Sequence, residues 1–250
     1  MRVTVAPQNE VLFDGIAIPA AGWTRTVTAP REPGSHILAV RGAGGELLYE
    51  IAFFVLEPSS NIRRGRLDGY RIGNYPADAP AGFIRLDDRG DMDVPVSPHF
   101  RIGQFICKQQ PGHWPKFLVL SQDLIKRLEV LLVELREDGA TDAETLFVMS
   151  GFRTPFYNTA IGSAKRSRHM WGDAADVYVD VSPQDGVMDD LNGDGRVSKG
   201  DSNWLYDYAE ELYAENKTVA SGGIGAYSAN AVRGPFVHID GRGSRARWGR

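Results

Sequence analysis

The clearest hydrophobic pattern in the chain lies at residues 121–139, where leucines recur at helical spacing on one face. Ser121 has the side chain of an N-cap, and Gly139 suits the end of the helix. A second helix is predicted over 202–217, where apolar residues again share a face. The leucines of the first helix are Leu124, Leu128, Leu131, Leu132 and Leu135.

Short apolar or alternating runs predict strands around these helices, at 145–150, 174–181 and 234–240. On the strand 174–181, Asp176 shares a face with two less polar neighbours, and on 234–240 His238 shares a face with Asp240. This mixture of helices and strands predicts an α+β fold, in which an antiparallel sheet with flanking helices carries the functional residues.

The first part of the chain has a different pattern. Residues 1–58 contain short apolar runs separated by Pro and Gly, which predicts a small all-β, sandwich-like domain. Residues 59–95 are rich in Gly, Pro, Asn and Arg, and we interpret them as a linker or an extended arm lying on the next domain. Residues 96–250 then form the main domain.

Charge and cysteine content exclude several classes of protein. The net charge of −4 gives no reason to expect binding to nucleic acid. The single cysteine excludes an internal disulfide and a zinc site built from cysteines. The most apolar run, 51–58, is too short to span a bilayer. Arginines cluster at 63–66 and 242–250, as a solvated linker and a polar tail or, alternatively, as a groove for an anionic substrate.

The stretch SRHMWGDAAD, at 167–176, combines residue types that can bind a metal. A catalytic zinc needs three protein ligands and one open position. His169 and Asp176 lie in this stretch, and His238 lies on the predicted strand 234–240, which can run beside the strand that carries Asp176. The spacing alone leaves open that each histidine is an ordinary core or surface residue.

The pattern S-x-H-x-x-G-x-A-x-D at 167–176 resembles the signature of the zinc D-Ala-D-Ala carboxypeptidase and murein endopeptidase family, whose fold Hedgehog signalling domains share. Three further stretches agree in order: SGFRTPFYN at 150–158, GGIGAY at 222–227 and FVHID at 236–240. The resemblance covers roughly 96–250. It is strongest for the periplasmic branch whose last motif ends in His-x-Asp.

This resemblance implies that His169, Asp176 and His238 are zinc ligands, and that Arg153 holds the scissile carbonyl and its developing negative charge. It also implies Ser167 and Tyr227 as contacts to the substrate, although Ser167 is equally suited to a helix cap.

The general base of many relatives is missing, because Pro235 occupies its position three residues before His238. Asp240 is the substitute candidate, with an orienting role toward His238 as the equal alternative. Asp173 is a weaker candidate, which we expect to face solvent.

Residues 190–201, DLNGDGRVSKGD, match a calcium-loop pattern and resemble the loops of dockerins. The alternative is an Asp- and Gly-rich surface turn. A structural Ca²⁺ would take side-chain oxygens, one backbone carbonyl and one water-mediated contact. The residues concerned are Asp190, Asn192, Asp194, Arg196 (carbonyl), Ser198 (through water) and Asp201.

The resemblance thus predicts a zinc metallopeptidase that hydrolyses amide bonds in peptidoglycan stem peptides or cross-links. A binding module for cell-wall peptides or proteins on the same fold is the first alternative, and a cytosolic dipeptidase acting on D-Ala-D-Ala is the second. The expected location is the periplasm or cell envelope, although the first residues show no export leader. The pattern gives no oligomeric state.

Overall fold

The computed structural model describes residues 2–19 and 22–250. The N-terminal part forms an antiparallel four-stranded sheet of order β3-β2-β5-β6 and a separate β1-β4 pair. Its core consists of Val11, Val27, Leu38 and Val40, with a few half-buried neighbours. Its strands are β1 (Arg2–Thr4), β2 (Glu10–Phe13), β3 (Ile16–Ala17), β4 (Thr24–Thr26), β5 (Gly34–Arg41) and β6 (Leu47–Val55).

The segment 59–95 contributes to the large core, although its composition predicts a linker or an arm. A buried strand, β10 (Gly82–Leu86), lies between β7 (Glu57–Pro58) and β11 (Lys116–Leu118) in an antiparallel sheet. A hairpin of β8 (Arg66–Leu67) and β9 (Tyr70–Arg71) precedes it.

The apolar side chains of this segment, from Leu67 to Leu86, pack into the main hydrophobic cluster. The segment is therefore an integral layer of the following region, because the Gly and Pro residues separate short apolar runs that are individually buried. The predicted domain limits themselves stay a prediction.

The C-terminal part confirms the α+β prediction. Its five-stranded sheet has the order β12-β13-β15-β14-β16, and all pairs are antiparallel except β14 with β16. Helix α1 packs against β15, and α3 packs against β14 and β15. The elements are β12 (Phe147–Ser150), β13 (Ala174–Tyr178), β14 (Gly223–Tyr227), β15 (Phe236–Asp240), β16 (Ala246–Trp248), α1 (Gln122–Glu137), α2 (Pro155–Ala160) and α3 (Lys199–Glu215).

Both long helices follow from local sequence signals. All five leucines of α1 are buried, the Ser121 side chain accepts a hydrogen bond from the Asp123 N–H, and Gly139 after the helix has a φ of 70°. Helix α3 begins at Lys199, three residues before the predicted 202, because Ser198 and Asp201 form a capping box. Within the described residues, no helix combines the length and apolar character that crossing a membrane requires.

Candidate metal centre

Three side chains from separate elements converge beside the middle of two strands of the C-terminal sheet. His169 lies in a short 3-10 helix, Arg168–Trp171, while Asp176 on β13 and His238 on β15 are directly paired across the sheet. His169 Nε2 lies 3.2 Å from His238 Nδ1 and 3.3 Å from Asp176 Oδ1. His238 Nδ1 lies 3.0 Å from the same Asp176 oxygen. The structure thus brings the three predicted zinc ligands together.

Two glycines make this convergence sterically possible. Gly172 ends the 3-10 helix with a φ of 68°, and a Cβ there would lie 2.0 Å from the Val119 carbonyl oxygen. Gly225 is paired with His238 on β14, and its missing side chain leaves room for the ring of Trp248. That ring lies 5.2 Å from the His238 ring, measured between centroids. A side chain at Gly172 would therefore push the segment that carries His169 away from the Val119 backbone. A side chain at Gly225 would displace the Trp248 ring that lies beside His238.

Hydrogen bonds orient both imidazoles. His169 Nδ1 donates to the Gly151 carbonyl at 2.7 Å, which leaves Nε2 as the ligand atom. His238 Nε2 donates to Asp240 Oδ2 at 3.1 Å, which leaves Nδ1 facing Asp176. Fixed tautomers of this kind are typical of histidines that bind a metal.

The charge states of His169 and Asp176 suit a metal, whereas the pKa of His238 shifts in the opposite direction to that of His169. Burial lowers the pKa of His169, against the opposing pull of Asp176, and so favours the neutral ring that a metal needs. Burial alone would raise the pKa of Asp176, but the two histidines outweigh it and hold that pKa well below its usual range. Burial by itself would lower the pKa of His238. Its hydrogen bonds with Asp176 and Asp240 outweigh this effect and raise that pKa.

The donor set fits Zn²⁺. Two imidazole nitrogens and one carboxylate oxygen are ligands that catalytic zinc takes together with an open position. In the described part of the chain, this is the one group of three or more His, Cys, Asp or Glu side chains whose ligand atoms all lie within 4.8 Å of one another. All three side chains are buried, so an ion there would be shielded from bulk water on the protein side.

The ligands line a cavity of about 890 Å³, together with Arg153, Ser167 and Tyr227. Arg153 donates to Asp176 Oδ2 and to the Ser150 hydroxyl, and its backbone N–H donates to the His169 carbonyl. The arginine is thus tied to two of the ligands, and its side chain forms part of the cavity wall.

The two residues predicted to contact substrate differ in how firmly they are held. The Ser167 side chain caps nothing, although Ser167 precedes the 3-10 helix, so its hydroxyl is left for other partners at the cavity. Tyr227 is stacked on Phe236 at 4.6 Å, and its hydroxyl accepts a hydrogen bond from Trp248 Nε1. Its ring is therefore fixed as a wall of the cavity.

Asp240 lies behind His238 and does not line the cavity. Its fully buried carboxylate accepts hydrogen bonds from His238, from the Gly223 N–H and from the Arg242 guanidinium. Burial would raise the pKa of Asp240, but these partners hold it far below its usual range. These contacts favour the orienting role over proton transfer.

The prediction that Asp173 faces solvent is wrong, because Asp173 is 6% exposed and forms an ion pair with Arg168. Burial still raises the pKa of the Asp173 carboxyl, and Arg168 offsets part of that effect. The sequence pattern missed this burial because Asp173 directly follows the positive-φ Gly172, where strand alternation has not yet begun.

Sequence reasoning missed several residues of the cavity. Trp248 and Arg242 come from the segment 242–250, for which the sequence predicts a polar tail or a groove for an anionic substrate, and Trp248 lies on β16. Phe147 and Tyr178 form a stacked pair at 4.7 Å on another wall. A tryptophan within an arginine-rich end is the signal that this segment is held against the protein, since indole rings rarely stay in solvent.

The predicted calcium loop has other partners for its acidic groups. Asp190 accepts from the Asp194 and Gly195 N–H groups, and Asp201 accepts from the N–H groups of Leu191, Asn192 and Ser198. These acidic side chains form no three-group metal cluster among the described residues. The structure therefore does not support the predicted calcium ligands Asp190, Asn192, Asp194, Arg196 and Asp201.

Part of the chain matches a known protein family. Residues 99–192 match the model of a family described as Peptidase M15. The matched segment holds Arg153, Ser167, His169 and Asp176, whereas His238 lies beyond it and joins the group only through the pairing of β13 with β15. No curated protein matches the chain. The match confirms the resemblance inferred from the motifs.

Proposed function

We propose that the protein is a zinc peptidase of the cell wall, because residues 99–192 match the model of the Peptidase M15 family, a zinc D-Ala-D-Ala carboxypeptidase-type family. Its proposed substrates are amide bonds in peptidoglycan stem peptides or cross-links that contain D-amino acids. The observation that carries the proposal is the convergence of His169, Asp176 and His238 at the wall of a large cavity.

The two histidines and Asp176 would hold the zinc, through His169 Nε2, His238 Nδ1 and Asp176 Oδ1. Bound zinc supplies a Lewis acid that polarises the amide carbonyl and lowers the pKa of an attacking water. The two carboxylate oxygens of Asp176 have different partners. Oδ1 faces the two histidines, and Oδ2 accepts a hydrogen bond from Arg153. This arrangement fixes the carboxylate plane before any substrate arrives.

Arg153 is the proposed donor to the oxyanion that forms when the carbonyl is attacked. A guanidinium has five N–H groups, and the contacts to Asp176, Ser150 and Ser163 leave some of them for the cavity. Because the guanidinium is already oriented, it stabilises developing negative charge without rearranging during the reaction.

More basic than acidic residues line the cavity, and three of the basic residues, Arg153, Arg168 and Arg242, are ion-paired with Asp176, Asp173 and Asp240. In the described part of the chain, Asp176 is the only acidic residue that lines the cavity, against six basic residues. Such a wall favours peptides with free carboxylates, which the proposed stem peptides carry. The basic residues are Lys108, Arg153, Arg166, Arg168, Arg233 and Arg242.

The test is digestion of purified peptidoglycan and of short D,D-peptides, with the released fragments identified by mass. We expect products from the zinc-loaded protein and none from His169→Ala or after chelation. The absence of products from zinc-loaded protein on every type of cross-link and peptide would contradict the proposal. Location in the periplasm or cell envelope is part of the proposal and follows from the substrate.

A binding module on the same fold is the second candidate. It is favoured by the shortage of a proton acceptor, because Pro235 stands where relatives have an acid and Asp240 is fully engaged by its partners. The two candidates separate in one experiment, since a binding module retains affinity for peptidoglycan but releases no fragments at any zinc concentration.

A further inference from the structure

The two arginine clusters of the chain have opposite surroundings. Near the C-terminus, Arg242 pairs with Asp240, Arg245 and Arg247 pair with Glu210, and Arg250 pairs with Asp207. The cluster on the hairpin β8-β9 and just before it has no such neutralisation. Among the described residues, no carboxylate lies within 4.0 Å of its members Arg64, Arg66 and Arg71.

The hairpin forces two of these charges to face each other. Leu67 and Tyr70 turn into the large core, which leaves Arg66 and Arg71 exposed and directly paired across the two strands. Like charges in directly opposite positions destabilise a strand pair. Arg64 adds a third charge beside them and adopts a φ of 51°. The fold therefore holds three positive charges close together, and a bound anion would reduce the repulsion between them.

The three arginines line a hollow of about 410 Å³. Gly65, Gly73 and Asn74 supply most of the remaining wall, and Phe156 closes one side. No acidic residue is among the described residues that line it. Asp68, the acid nearest in sequence, forms an ion pair at 2.5 Å with Arg85 instead.

The backbone around the hollow is built tightly. Gly65 accepts hydrogen bonds from the N–H groups of Ile72 and Gly73, and Ile72 accepts one from the Phe156 N–H. A Cβ at Gly73 would lie 2.6 Å from the Phe156 nitrogen, so only glycine allows this contact. The Arg71 guanidinium lies 5.0 Å from the centre of the Phe156 ring. The guanidinium groups therefore project from a fixed frame rather than from a mobile loop.

Helix α2 separates this hollow from the metal cavity. Phe156 lines the hollow, whereas Tyr157 and Ile161 of the same helix segment line the cavity, and Arg153 lies just before the helix. An extended polymer can therefore contact both sites, with one group at the hollow and a peptide bond at the metal.

We propose that the hollow lined by Arg64, Arg66 and Arg71 binds an oxyanion, a carboxylate or a phosphate, of the same cell-wall polymer whose amide bond is cleaved. The proposal rests on the proposed function for its choice of polymer. Guanidinium groups match the planar geometry of such oxyanions and bind them through paired hydrogen bonds. Occupation of the hollow would hold the polymer in place while its peptide enters the metal cavity.

The test measures binding separately from hydrolysis. The variant Arg64→Gln/Arg66→Gln/Arg71→Gln is compared with Arg2→Gln/Arg31→Gln/Arg89→Gln, which removes equal charge from exposed arginines elsewhere. Both are made in a His169→Ala background and sedimented with purified peptidoglycan. We expect affinity at least roughly tenfold weaker for the first variant, with a smaller dependence on salt, and no change for the second. Equal affinities of the two variants would overturn the proposal.

Two further arms identify the source of the anion and guard against misfolding. Peptidoglycan treated with hydrofluoric acid loses phosphate polymers, so retained binding assigns a peptide carboxylate and lost binding assigns a phosphate. The Arg64 side chain forms no hydrogen bond or ion pair with the described residues, so Arg64→Gln alone is expected to weaken binding with an unchanged melting temperature.

Hydrolysis of a short soluble D,D-peptide by the first triple variant, with His169 intact, distinguishes this proposal from the proposed function. We expect an unchanged kcat, since the hollow lies outside the metal cavity. If the parent protein hydrolyses nothing, the proposed function is wrong, but the sedimentation measurement still tests whether the hollow binds an anion of the polymer. If hydrolysis persists but the two triple variants bind the polymer equally, the proposal for the hollow is wrong and the proposed peptidase function is unaffected.

Discussion

The N-terminal and C-terminal sheets of this protein differ most in the size of the hydrophobic core that each packs against. The N-terminal sheet rests on a buried cluster of four aliphatic residues, and its strand β6 exposes large apolar side chains, among them Leu47, Leu48 and Tyr49. The C-terminal sheet is flanked by α1 and α3 and shares a much larger core. Among the residues that the structure describes, the second sheet carries a buried cluster of ionisable groups and the first does not.

This difference teaches where a metal centre can form. Burying His169, Asp176 and His238 costs free energy unless each charge has a partner and each ring is held in place. The C-terminal region supplies those partners through Gly151, Arg153 and Asp240. In the N-terminal sheet, His36 also contacts a carboxylate, Asp14, at 2.8 Å, but there it forms a simple surface pair.

The largest effect is expected from removing a ligand. His238→Ala should abolish zinc binding at ordinary concentrations and nearly all hydrolysis, because two remaining ligands cannot make a catalytic site. Elemental analysis is expected to give about one zinc per parent chain and almost none in the variant. The matched control is His36→Ala, which should retain zinc and activity. Equal zinc content of parent and His238→Ala would break the comparison.

Gly172→Ala should lower the free energy of unfolding of the C-terminal region by more than about 2 kcal/mol. The left-handed backbone conformation is unfavourable for alanine, and its Cβ would clash with the Val119 carbonyl oxygen. Chemical denaturation measures the change. Gly162→Ala is the control, since it shares a positive φ but has open space around its Cβ. A loss of stability equal in both variants would show that the close contact contributes nothing.

Core truncation should separate the two regions. Leu132→Ala on α1 is expected to lower the free energy of unfolding by about 2–5 kcal/mol, with Leu38→Ala at or below the lower end. The smaller core around Leu38 has more freedom to collapse around the missing methyl groups. Leu38→Ala should also leave hydrolysis of a short peptide unchanged. A larger loss for Leu38→Ala would mean that the N-terminal sheet is the more tightly packed of the two.

The calcium prediction for 190–201 is tested by melting in the presence and absence of Ca²⁺. A loop that binds calcium gains about 2.7 kcal/mol when the ion is at 100 times its dissociation constant. Asp190→Asn should remove that gain, while Asp142→Asn outside the loop should not. A melting temperature that does not respond to Ca²⁺ would leave the loop as a surface turn.

The smallest effect is expected from Asp240→Asn. If Asp240 orients His238, the variant should bind zinc roughly 10- to 100-fold more weakly but regain activity when zinc is supplied in excess. If Asp240 is the proton acceptor, activity should stay low even with zinc bound. Zinc titration followed by peptide hydrolysis separates the two roles.

Local signals sufficed for several parts of the structure. The leucine spacing gave α1 almost to its ends, with Ser121 as its N-cap, because periodicity and capping are properties of neighbouring residues. The ordered motifs identified His169, Asp176 and His238. In contrast, β10 is a short run that lacks strand alternation and follows a Gly- and Pro-rich stretch, so the sequence does not predict the burial of 82–86.

The sequence by itself determined the two long helices, the main strands and the residues able to bind a metal. Tertiary structure alone decided that His238 meets Asp176 and that Asp240 is enclosed behind it. It also decided that the hairpin arginines form no ion pair with a described carboxylate, while the C-terminal arginines are neutralised. The physical reason is that helix and strand patterns depend on near neighbours, whereas burial, ion pairing and hydrogen-bond saturation depend on groups brought together from distant positions in the chain.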